Sequence, residues 1–128
     1  MTIMVVRLGT PRHRTEGLRI GTVRRPPRGV PKAKFASENW YDVWLPEIAP
    51  SEATVKLGQK AGTDAQWKAF GKRYQREMAA AGPSRLLDLL AALSRAADFS
   101  VGCYCEDEAR CHRSILRQLL KERGAKLG

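Results

Sequence analysis

A chain of 128 residues with 43% hydrophobic content is long enough to bury a core of its own. No apolar run nears the roughly 20 residues a membrane helix needs, and the three cysteines are too few and too clustered for a disulfide framework, which points to a reducing, cytoplasmic setting. The net charge of +10 is concentrated in residues 1–36, where nine basic side chains face one acid, Glu16, so this third is expected to attract a polyanion or a phosphorylated ligand.

Met1 to Arg7 lacks the basic leader and long apolar core of a signal peptide and reads as a first strand near residues 3–7. Gly9 to Glu16 reads as a loop with His13 on its surface. Leu18, Ile20 and Thr22 alternate with Arg19 and Gly21, which predicts a strand near 18–23. Residues 24–36 follow as an exposed basic loop: Pro26, Pro27 and Pro31 lack amide donors, and Gly29 permits a turn. From Asn39 to Ile48 the spacing puts Trp40, Val43 and Trp44 on one helical face, ended or bent by Pro46. Ser51 reads as the N-cap of a new helix.

Thr63-Asp64-Ala65-Gln66 fits a capping box that opens a long helix, with Trp67, Phe70, Tyr74 and Met78 as a core stripe. Gly82-Pro83 is expected to stop it. Leu86, Leu87, Leu90, Leu93 and Ala97 form the next amphipathic helix. A buried strand over 99–104 and a helix over 111–123 complete the chain, with Gly124 as the stop. This alternation predicts one α/β domain over 1–128: a small, mostly parallel sheet of about three to five strands covered by several helices. The strands near 3–7, 18–23 and 99–104 should share that sheet.

The junction between strand 99–104 and helix 111–123 holds every cysteine, and such junctions are where α/β proteins present their chemistry. A helix starting near 107–109 would put Cys111 and His112 in its first turn, where free amides favour an anion and lower a thiol pKa. Cys111, His112, Glu106 and Cys105 are the candidate reactive groups. Glu106 could orient His112 or act as a base. Arg113 is expected to join Arg24 and Arg28, from the basic loop, in clamping a phosphate-like group. Cys103, mid-strand, reads as a small buried apolar residue. Cys103, Cys105, Cys111 and His112 are metal-ligand types, but familiar zinc sites separate paired ligands by about two to four residues, unlike Cys-x-Cys-x5-Cys-His. Neither a metal nor a cofactor is expected.

Several segments resemble the YeaO-like proteins of domain of unknown function 488. Leu18-Arg19-Ile20-Gly21-Thr22-Val23-Arg24-Arg25-Pro26-Pro27-Arg28-Gly29-Val30 is similar to a family motif that typically reads Tyr-Arg-Val-Leu-Val-Asp-Arg-Leu-Trp-Pro-Arg-Gly. Trp44 to Ser51 resembles the Trp…Ala-Pro-Ser segment. Trp67, Phe70, Tyr74 and Glu77 resemble the Trp-x2-Phe-x3-Tyr-x2-Glu helix. Cys105-Glu106 and Cys111-His112-Arg113-Ser114 resemble the terminal motif of many members. Val23 and Pro26 depart from the usual Asp and Trp, so a pocket relying on that Asp would be altered. The resemblance implies an α/β fold with a small sheet, points to Arg24, Arg28, Cys105, Glu106, Cys111, His112 and Arg113, and brings no activity with it.

The resulting expectation is a cytoplasmic α/β protein with an anion pocket at this junction, suited to a phosphorylated or nucleotide-like small molecule. The alternative is a non-catalytic nucleic-acid-binding module that uses the basic N-terminal third as its footprint.

Overall fold

The computed structural model describes residues 1–105 and 110–128. Strands β1 (Ile3–Arg7), β2 (Leu18–Gly21), β3 (Val43–Trp44) and β4 (Phe99–Cys103) form one all-parallel sheet in the order β1-β4-β2-β3. Helices α1 (Glu52–Gln59), α2 (Asp64–Met78), α3 (Ala81–Leu93) and α4 (His112–Glu122) complete an α/β fold, as the alternating pattern predicts. The three expected strands share the sheet, with β4 between the other two.

All five residues of β4 are buried, as expected for the central strand of a covered parallel sheet. Gly102 allows the close approach there: a Cβ on it would lie 2.6 Å from the Val6 carbonyl oxygen. The core joins Ile3, Ile20 and Val101 of the sheet to Tyr74, Met78, Leu87, Leu116 and Leu120 of the helices. The aromatic stripe of α2 is core as expected. Phe70, Tyr74 and Met78 are buried, and Trp67 stacks on Phe70 with ring centroids 4.7 Å apart. Ser51 caps α1, and the capping box at Thr63 and Gln66 is present.

Three expectations need correction. Residues 39–48 are not a helix. Val43 and Trp44 form the edge strand β3 beside Ile20 and Gly21, and Pro46 opens a short 3-10 turn. The helical spacing covered too short a window, and β-prone Val43 and Trp44 gain a sheet edge instead. Trp44 anchors it by donating its indole Nε1–H to the Val23 carbonyl, at 2.7 Å. Gly82-Pro83 does not stop α2, which ends at Met78; both residues lie in the first turn of α3, where a missing proline amide breaks no helical bond. Helix α4 begins at His112, later than expected, and leaves Cys111 as an extended N-cap.

Beneath the sheet ends lies a buried ion pair that charge counting alone does not reveal. Glu16 is 1% exposed and Arg19 0%. Arg19 donates to both Glu16 oxygens (Nε to Oε1 2.5 Å, Nη2 to Oε2 3.0 Å) and, through Nη1, to the carbonyls of Thr10 and Asn39. Ser100 Oγ and the His13 amide also donate to the carboxylate. Gly17 lets the chain turn between the pair: its φ is +70, and a Cβ there would meet the Asp98 carbonyl at 2.1 Å.

Burial alone would raise the Glu16 pKa, but the hydrogen bonds from Arg19, Ser100 and His13, with the Arg19 charge, lower it from 4.5 to about 2. A depressed carboxylate stabilises the fold fully above its unfolded value and loses that contribution as pH falls. Asp42 and Glu77 are lowered too and act in the same direction. Urea unfolding across pH should therefore show stability falling from about pH 4.5 toward pH 2. Glu16→Gln should flatten part of that slope and cost about 3–5 kcal/mol at neutral pH, because Arg19 would be left buried and unpaired. An unchanged slope would remove Glu16 as its source.

Candidate functional site

Parallel strands deliver their carboxyl ends to one edge of the sheet, and the connections leaving those ends build a site there. The chain after β1 contributes Arg7 to Thr10, the chain after β2 contributes Val23 to Arg28, and the end of β4 leads through Cys103 to Cys105. Together with α1 and the start of α4 they enclose a cavity of about 1220 Å³. Six cationic side chains line it (Arg7, Arg24, Arg25, Arg28, Lys56 and Arg110), against one carboxylate, Glu52, among the described residues.

Local bonds fix several of these groups. Arg24 donates Nε–H to the Pro50 carbonyl at 3.0 Å and an Nη2–H to the Ala49 carbonyl at 3.1 Å. Arg25 pairs with Glu52, and Arg110 reaches Asp64 Oδ1 at 3.2 Å. The Tyr104 hydroxyl donates to the Arg25 carbonyl at 2.8 Å, tying the end of β4 to the basic loop.

The thiols meet at the inner wall. Cys103 closes β4 and Cys111 caps α4, and their Sγ atoms lie 2.6 Å apart. Both are buried, whereas Cys105 is exposed. The neighbouring Cys103 and Cys111 thiols, aided by the charge of Arg113, lower the Cys105 thiol to about 2. The bonds that Cys103 makes to Cys105 and Cys111, with burial, push its own thiol up. For Cys111 the bond with Cys103 pulls downward, but the bond with Cys105 and burial prevail and hold it at about 11. The low-pKa thiol is thus Cys105. Cys111, one of the two expected, is held protonated by its neighbour Cys105 and by burial, and its side chain makes no cap bond.

His112 is buried, and burial lowers it to about 4, so its ring is neutral at pH 7. Its Nε2 lies 2.8 Å from the Thr22 carbonyl, which fixes the proton there and turns Nδ1 toward Cys111 Sγ, at 3.7 Å. Tyr74 packs edge-on against the ring with centroids 5.4 Å apart.

Of the residues singled out in the sequence, Arg24, Arg28, Cys105, Cys111 and His112 all line this one cavity. Arg113 does not. It is 4% exposed and donates Nη2–H to the Cys105 carbonyl at 2.6 Å, so it holds the cysteine segment from behind. Glu106 lies outside the described residues. Cys103, read as core packing, is the partner of Cys111. Its place two residues before Cys105, at a strand end, was the available signal. Arg7 and Lys56 come from elements that carry no motif, and only the tertiary structure recruits them; Arg110 sits in the junction itself, directly before Cys111.

Cys103, Cys111 and His112 offer ligand atoms within 4.8 Å of one another, so by residue type they could hold a metal. Two thiolates on one tetrahedral zinc stand roughly 3.7 Å apart, given Zn–S bonds of about 2.3 Å. The 2.6 Å between Cys103 and Cys111 is too short for that arrangement.

No curated protein and no solved structure matches the chain. A family model does, over residues 3–124, a span that includes every residue lining the cavity. The chain belongs to the DUF488-N3a family, described as the active DUF488-N3 subclade.

Proposed function

We propose that the cavity binds the phosphate-like group of a phosphorylated or nucleotide-like small molecule and presents the Cys105 thiolate to it as the reactive group. The observation that carries this reading is the convergence of six cationic side chains on one cavity whose inner wall holds an exposed, low-pKa thiol. Arg24 is the best-oriented clamp. Two main-chain carbonyls fix its guanidinium, and Nη1 is left to donate to a ligand. Arg28, exposed four residues further along the same loop, supplies a second charge. Arg113 acts as a positioning residue through the Cys105 carbonyl. The cavity exceeds a bare phosphate, and Trp40 and Tyr104 offer apolar faces to an organic portion.

A small anion is favoured over nucleic acid because cationic side chains cluster on one cavity, while three of the nine basic side chains of residues 1–36 pair with acids among the described residues. Arg12 pairs with Asp42 at 2.7 Å, Arg19 is buried on Glu16, and Arg25 pairs with Glu52.

Calorimetric titration with inorganic phosphate, ADP and adenosine tests the clamp. Phosphate and ADP should bind, and adenosine should not. Arg24→Ala with Arg28→Ala should weaken ADP by at least about tenfold, since one charge-assisted hydrogen bond contributes about 1.5–3 kcal/mol. Equal binding of ADP and adenosine would sink the reading. Tight binding of an oligonucleotide with a steep salt dependence, and none of ADP, would replace it with the nucleic-acid module.

Alkylation tests the thiol. Iodoacetamide should modify Cys105 well before Cys103 or Cys111, at a rate that holds from about pH 8 to about pH 5, and added phosphate should slow it. Cys105→Ser should remove the fast phase. Equal slow rates at all three cysteines would leave the cluster a structural junction.

A further inference from the structure

The three cysteines are arranged in a way that anion binding does not explain. One thiol is exposed on a cavity. Two more stand behind it, 1% and 2% exposed, with sulfurs in contact. Cys105 follows Cys103 by two residues and lines the same cavity as Cys103 and Cys111. The Cys103–Cys111 separation of 2.6 Å is only about 0.6 Å longer than a covalent S–S bond. Packing alone would not need two sulfurs so close, nor a third, exposed thiol on the same cavity.

We propose that Cys105, Cys111 and Cys103 form a relay that reduces hydroperoxides, with Cys105 taking the oxygen and the buried pair supplying the electrons. In the first step the Cys105 thiolate attacks one peroxide oxygen. An S–O bond forms, the O–O bond breaks, and the departing alkoxide takes a proton from solvent, leaving a sulfenic acid and an alcohol. In the second step Cys111 attacks the Cys105 sulfur. An S–S bond forms, the S–O bond breaks, and the hydroxide leaves as water with the Cys111 proton. In the third step Cys103 attacks the Cys111 sulfur, releases its proton and expels Cys105 as a thiolate. The balance is one hydroperoxide and two thiols giving one alcohol, one water and one disulfide, with Cys105 restored.

The surroundings suit each step. Cys105 is the better leaving group in the last exchange, because a stabilised thiolate departs faster. The cationic wall stabilises the Cys105 thiolate and the alkoxide that departs in the first step. Burial of the final disulfide keeps it from further attack, and Cys105 remains the solvent-facing thiolate.

The inference goes beyond the anion reading, and its covalent steps use only the cysteines. Reduced protein is mixed with one equivalent of hydrogen peroxide, and free thiols are counted after denaturation. They should fall from three to one per chain. Cleavage after Tyr104 and Arg110 puts each cysteine on its own peptide, and mass spectrometry should find the Cys103 peptide joined to the Cys111 peptide. Cys105→Ser, at an exposed position, should slow the thiol loss at least about tenfold. Cys103→Ser should stop the relay at a Cys105–Cys111 disulfide. Thiol loss at the unaltered rate in Cys105→Ser would overturn the relay. So would Cys105 sulfinic acid with Cys103 and Cys111 still reduced, or bound zinc that keeps all three thiols inert until it is chelated. Loss of phosphate binding with the disulfide still forming would count against the anion reading alone, and the reverse result against the relay alone.

Discussion

The interaction on which the rest depends is the buried pair of Glu16 and Arg19. Two opposite charges out of water are tolerated only when every remaining donor and acceptor finds a partner. Here the Arg19 guanidinium serves the carboxylate and two main-chain carbonyls, and the carboxylate takes further bonds from Ser100 and the His13 amide. The pair therefore fastens four separate pieces of chain: the loop after β1, strand β2, strand β4 and the segment at Asn39. Arg12 and the Arg19 amide bind Asp42 just beyond, which extends the network toward β3. With these pieces fixed, the carboxyl ends of β1, β2 and β4 stand at one edge, and the cavity follows.

A second set of bonds fixes the far wall. Glu77, late in α2, accepts from the Ser51 amide, Ser51 Oγ and Thr54 Oγ1, and so pins the first turn of α1. Tyr74, one turn earlier, donates its hydroxyl to the Ile48 carbonyl at 2.8 Å. The carbonyls of Ala49 and Pro50 lie between those anchors, and they are the groups that hold Arg24. A helix that looks like plain core in sequence thus sets the direction of a guanidinium in the cavity.

The thiol electrostatics follow from depth. Cys103 and Cys111 are buried, where a thiolate is poorly solvated, so they keep their protons and donate them. Cys105, outermost, holds the negative charge beside the cationic wall, with the two protonated thiols behind it. His112 stays neutral because burial disfavours its charged form more than the nearby thiolate favours it. One negative charge rather than three is what this geometry supports.

The sequence by itself determined the α/β class, the three principal strands, the caps at Ser51 and Thr63, the aromatic core of α2 and the junction where the cysteines lie. Each of these rests on local chemistry: hydrophobic period, side-chain capping and residue clustering within a few positions. What it could not decide were pairings across long separations. Alternation grouped Arg19 with the polar residues, yet Arg19 is fully buried, because its partner Glu16 and its carbonyl acceptors come from elsewhere in the chain. Helical spacing at 39–48 lost to an edge of β2 that no local window contains. Cys103 is buried as its strand position suggested, but the folding of Cys111 against it and beside Cys105 is what raises the Cys111 thiol and leaves Cys105 with the low pKa. Only the tertiary structure decides such matters, since burial and proximity, not residue type, set the cost of a charge and the partner of a thiol.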